Sequence, residues 1–128
     1  MKISDRHTLF YIINQKGAFH MAAIEMNSEL FRTMVQEGDR PVLVDYWAPW
    51  CVYCRRIAPA VEKLAGELAD LVTIAKVNID DEPKLAQAEQ IEVIPTLVLY
   101  QGGKVLGSIV APESKAKIEA FVREHLDR

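Results

Sequence analysis

Two cysteines stand three positions apart, in the run Cys51-Val52-Tyr53-Cys54. A bare C-x-x-C suits zinc, an iron–sulfur cluster or dithiol redox work. A structural zinc site needs four ligands. The chain has no second C-x-x-C, and His7, His20 and His125 follow no ligand spacing. Cys51 and Cys54 fall at the junction of a predicted strand and a predicted helix. Residues three apart at a helix start share one face and lie close enough to form a disulfide. The first cysteine meets the free N–H groups and the dipole of the helix terminus, which favour a thiolate. The second lies a turn inside, shielded and placed to attack a mixed disulfide formed by the first. One carboxylate, Asp45, interrupts an otherwise apolar strand just upstream. Burial there desolvates it and raises its pKa towards the range of proton transfer. Dithiol exchange is the leading reading. Metal or cluster binding by a dimer that pools two C-x-x-C pairs, and a redox-silent binding module, are the alternatives.

These residues need elements to position them. Residues 21–26 form a weak strand. Asn27 or Ser28 then caps a helix to about Glu37, with Leu30, Phe31, Met34 and Val35 at helical spacing. Val42 to Trp47 reads as a strand covered on both faces. The helix after the cysteines carries Ile57, Val61, Leu64, Ala65 and Leu68 on one side, and Pro59 is expected to kink it. A strand at 72–79, a short helix at 81–90 with Pro83 in its first turn, and strands at 96–100 and 104–110 follow. Gly102-Gly103 reverses the chain between those two strands. Ser114 caps a last helix with Ile118, Phe121, Val122 and Leu126 inward. The order βαβαβαββα predicts an α/β fold, a three-layer α/β/α sandwich with helices on both faces of a mixed five-stranded sheet.

The 128 residues fit one domain, half of them apolar and 26% charged, as in a globular protein. The net charge of −3 and the lack of a basic stripe argue against nucleic acid as a partner. No apolar run is long enough to span a bilayer, so no membrane partner is expected. Residues 1–20 read as an N-terminal extension, mobile or weakly docked, with the domain at 21–128. Lys2 and Arg6 precede an apolar run of only Leu9 to Ile13, too short for a secretory signal core. The expectation is therefore a cytoplasmic protein.

The segment W-A-P-W-C-V-Y-C-R-R-I-A-P at 47–59 closely resembles the active-site segment of the thioredoxin family. V-L-V-D-Y-W at 42–47, A-K-V-N-I-D at 75–80, I-P-T at 94–96 and S-K-A-K-I-E-A-F-V at 114–122 resemble further thioredoxin segments in the same order. The resemblance covers everything after the extension and implies the thioredoxin fold. It also implies a thiol–disulfide oxidoreductase that reduces protein disulfides, with Cys51 attacking and Cys54 resolving. By the same resemblance Asp45 is the buried acid that exchanges protons with Cys54, and Lys76 the lysine that accompanies it. Pro95 matches the family's cis-proline, which leaves the backbone of Ile94 free to pair with an extended substrate. Trp50 is expected to rim the site, and Trp47 to pack in the core or beside it. Ala111, followed by Pro112, stands where the family often has a glycine that lets substrate backbone approach. The implied partners are disulfide-containing client proteins and an NADPH-dependent thioredoxin reductase-like flavoenzyme. No bound cofactor is expected beyond the redox-active Cys51–Cys54 pair, and the protein is expected to be a monomer.

Thioredoxins usually have Gly-Pro where Val52-Tyr53 stands here. Tyr53 keeps an N–H that proline lacks. Aimed at the Cys51 sulfur, it would stabilise the thiolate and raise the potential from about −270 mV to roughly −250 to −200 mV.

Overall fold

The computed structural model describes residues 22–126. The expected extension at 1–20 lies outside them. Strand β1 (Ile24–Glu25) is followed by α1 (Ser28–Phe31), β2 (Val42–Trp47), α2 (Val52–Glu67), β3 (Thr73–Asn78), α3 (Pro83–Ala88), β4 (Thr96–Gln101), β5 (Lys104–Val110) and α4 (Lys115–Leu126). The five strands form one sheet in the order β1-β3-β2-β4-β5. β1, β3 and β2 run parallel, and β4 and β5 are antiparallel to their neighbours. This is the mixed α/β/α sandwich anticipated from the element order.

Strand parity sorts the side chains into two cores. Leu43, Ile74, Leu97 and Leu99 meet Ile57, Val61 and Leu64 of α2 and Ile118, Phe121 and Val122 of α4 on one face. Val42, Val44, Tyr46, Ala75, Val77, Val98 and Tyr100 meet Phe31, Val35 and Leu85 on the other. Within this second core the phenols of Tyr46 and Tyr100 are hydrogen-bonded at 2.7 Å, and Tyr100 donates on to Glu89 at 2.8 Å. Burial pushes both phenols above their ordinary range.

The caps follow the local chemistry. Asn27 Oδ1 accepts from the Leu30 amide at 2.8 Å, and Ser114 Oγ from that of Lys117 at 3.1 Å. Gly102 and Gly103 both have positive φ, 60° and 78°, as a two-residue hairpin turn demands. Two elements differ from expectation. The helix expected to reach Glu37 is α-helical only through Phe31, and Arg32–Gln36 forms a π-helical turn closed by Glu37 N–H on the Arg32 carbonyl at 2.9 Å. The helix expected over 81–90 shrinks to α3, with Pro83 in its first turn, and Gln90 beyond it has φ 60°.

Candidate active site

A short loop over 48–51 leads from β2 into α2, and Cys51 caps the helix. The Cys51 backbone is extended, and its Sγ accepts a hydrogen bond from the Cys54 amide at 3.2 Å. A sulfur thus occupies the place that Ser, Asn or Asp fills in an ordinary helix cap. The two cysteines are joined by a disulfide, with Cα atoms 5.2 Å apart. Cys54 is 2% exposed and Cys51 9%, so Cys51 is the more exposed residue of the pair. Ala48 packs beside the pair, together with Trp47, Ile79 and Ile94. The amide aimed at Cys51 is that of Cys54, not the expected one of Tyr53. A chain with proline at 53 would keep this donor in the disulfide form.

Asp45 lies in the middle of β2. It shares the parity of Leu43 and therefore faces the α2 side of the sheet. The residue is buried, and its Oδ1 has no hydrogen-bond partner. Burial raises its pKa to about 7 against the pull of the Lys76 ammonium, with Glu25 and Glu62 adding to the rise. Lys76 is its register neighbour in β3, and Glu25 is that of Lys76 in β1. The Lys76 ammonium sits over the Trp47 ring, 4.5 Å from its centroid.

Opposite the cysteines, the Ile94-Pro95 peptide bond is cis, as the resemblance implies. Ala111 closes this side: its N–H donates to the Pro95 carbonyl at 2.9 Å, and its φ is +46°. Trp50 stands on the rim, 63% exposed. Its indole N–H is shared between the two carboxylate oxygens of Asp80, at 3.0 and 3.2 Å. Arg55 donates to the Pro49 carbonyl at 2.7 Å, bracing the loop between β2 and α2. Exposed Val52 and Val93 add apolar surface. The structure brings Cys51, Cys54, Trp50, Ile94, Pro95 and Ala111 to one end of the sheet, while Asp45 and Lys76 pair within β2 and β3. Sequence reasoning missed Asp80 and the bracing role of Arg55. Asp80, a polar residue just past the end of β3, was the one available signal.

Among the described residues, no group of three or more His, Cys, Asp or Glu could hold a metal ion. None of their helices is long and apolar enough to cross a membrane.

The thioredoxin family model matches residues 22–124. The chain belongs to the thioredoxin family. It is 41% identical over 105 residues to a thioredoxin of Acidithiobacillus ferridurans, covering 82% of this chain and 97% of the relative. It is also 41% identical over 102 residues to the chloroplastic M-type thioredoxin of Chlamydomonas reinhardtii, covering 80% and 73%. A bifunctional thioredoxin reductase/thioredoxin of Mycobacterium leprae is 39% identical over 95 residues, which are 74% of this chain and 21% of that longer protein. Family membership and the Cys51–Cys54 pair together make this thioredoxin-family chain a thiol–disulfide oxidoreductase.

Proposed function

We propose that the protein reduces disulfides of client proteins, with Cys51 as the attacking thiolate. Its sulfur displaces one client sulfur and forms a mixed disulfide, and the freed client thiolate takes up a proton. Cys54 then attacks the Cys51 sulfur, its proton passing to Asp45, and the second client thiolate leaves. Two electrons have moved to the client, and Cys51–Cys54 is oxidised. Asp45 suits the proton step because its pKa lies near 7, so it can accept and return a proton at neutral pH. Lys76 keeps positive charge beside it. Trp50, Ile94, Pro95 and Ala111 bind the client, whose extended segment pairs with the Ile94 backbone. No bound cofactor takes part, because the electrons reside in the cysteine pair.

The M. leprae relative, named for both activities, supports a thioredoxin reductase as the electron source, and the resemblance implies that this reductase is an NADPH-fed flavoenzyme. A dithiol kept reduced in this way belongs in a reducing compartment, so the cytoplasm is the proposed location and a monomer the proposed working form.

The observation that carries this reading is the asymmetry of the pair: Cys51 at the helix terminus, Cys54 one turn inside and buried. Incubated with oxidised client proteins, Cys54→Ser should accumulate covalent mixed disulfides, and Cys51→Ser almost none. Equal alkylation rates of the two thiols near neutral pH would overturn the assignment.

A further inference from the structure

Tyr53, between the two cysteines, reaches across to the segment that follows β5. Its half-buried ring extends the apolar stripe of α2 and packs on the core beneath that helix. The Arg56 guanidinium lies over the ring, 5.8 Å from its centroid. The hydroxyl donates to the carbonyl of Pro112 at 3.0 Å, 59 residues away. The residue before that proline is Ala111, at φ +46°. This conformation is sterically uphill for a residue with a Cβ. A residue that precedes proline is also steered towards extended backbone at negative φ. The Ala111-Pro112 pair is therefore in a conformation it would leave if untied. Two hydrogen bonds tie it, one on each side: Ala111 N–H to Pro95, and Tyr53 hydroxyl to Pro112.

We propose that the Tyr53 hydroxyl is a strap that holds Ala111-Pro112 against the cis-proline loop and so fixes the wall of the client groove. Tyr53 is a positioning residue for client binding, acting through Ala111. This rests on the reading of the groove beside Ile94 and Pro95 as the client site. A groove wall already in place spares the client the cost of ordering it, so losing the strap weakens binding and leaves the thiol chemistry in place.

The experiment follows insulin reduction with dithiothreitol as terminal reductant. Tyr53→Phe keeps the ring and its packing and removes only the hydroxyl. Its KM for insulin should rise about fivefold, the loss expected for one hydrogen bond, while kcat stays within about twofold. Glycine occupies positive φ without help, so adding Ala111→Gly to Tyr53→Phe should return KM to within about twofold of Ala111→Gly alone. A KM within about twofold of the unsubstituted protein in Tyr53→Phe, a fall in kcat at unchanged KM, or no rescue by Ala111→Gly would each overturn the strap. Failure of the underlying reading shows separately and first, as an unsubstituted protein that reduces dithiobis-nitrobenzoate but not insulin.

Discussion

Asp45 is the residue at which sequence, structure and chemistry meet most directly. A carboxylate whose same-face neighbours along the strand are Leu43 and Trp47 is expected to be buried, and it is, with Oδ1 unpartnered. Its charged form is therefore costly. The unfolded chain releases this proton near 3.8 and the folded one near 7, so between those values the folded state binds more protons. Stability then falls as pH rises from about 4 to 7, and the deficit is complete above that. Three units correspond to about 4 kcal/mol. Urea unfolding of the oxidised protein, in which neither cysteine titrates, should show this decline. Asp45→Asn should lack it, so the stability difference between the two changes by about 4 kcal/mol between pH 4 and pH 8. Parallel pH profiles would mean that water reaches the carboxylate. Asp45 was legible because its strand is apolar on both faces, which implies cover on the side it shares with Leu43 as well. The Trp50–Asp80 and Tyr46–Tyr100–Glu89 hydrogen bonds were not, because they join residues that only strand order and register bring together.

Among the elements, α2 was readable nearly in full. Its inward stripe of Ile57, Val61, Leu64 and Ala65 is buried, and its cap is the cysteine itself. The stripe continues backwards by one turn to Tyr53, a signal that the sequence carried and that points to the packing of this ring. The turn at Arg32–Gln36 shows the opposite case. Leu30, Phe31, Met34 and Val35 repeat at helical spacing, yet the backbone widens to i→i+5 bonds, which apolar periodicity does not distinguish from a regular helix. Gly38 at its exit lies so close to the Met34 carbonyl that a Cβ would stand 2.4 Å from the oxygen. Ala111 is the element boundary where sequence and backbone disagree, an alanine in a conformation that favours glycine. Ala111→Gly should therefore stabilise the protein by about 1 kcal/mol, the steric relief being partly offset by a freer unfolded chain. Urea unfolding at constant m-value reads this as a higher midpoint. An unchanged or lower midpoint would show that the turn bears no strain.

At the scale of the molecule, the site is assembled at one end of the sheet. β2 delivers Cys51 from its C-terminal end, β3 leads to Asp80, Pro95 precedes β4, and Ala111 follows β5. Ligand sites in α/β sheets gather outside the carboxyl ends of parallel strands for this reason: loops from several strands converge there. Both cores lie on either side of the same sheet, and among the described residues their buried members run from Ala23 to Val122. The family match spans 22–124. The elements that place the two cysteines, Asp45, Lys76 and Pro95 all fall within this stretch. A chain that starts at Met21 should consequently fold and reduce insulin at a rate within about twofold of the full-length protein, with unfolding free energy lower by no more than about 1 kcal/mol. Changes away from a core, a cap or a buried network rarely cost more than that. A loss above about 2 kcal/mol, or a matching loss of activity, would show that residues 1–20 contribute apolar surface to one of the two cores, and the domain would have to be redrawn to include them.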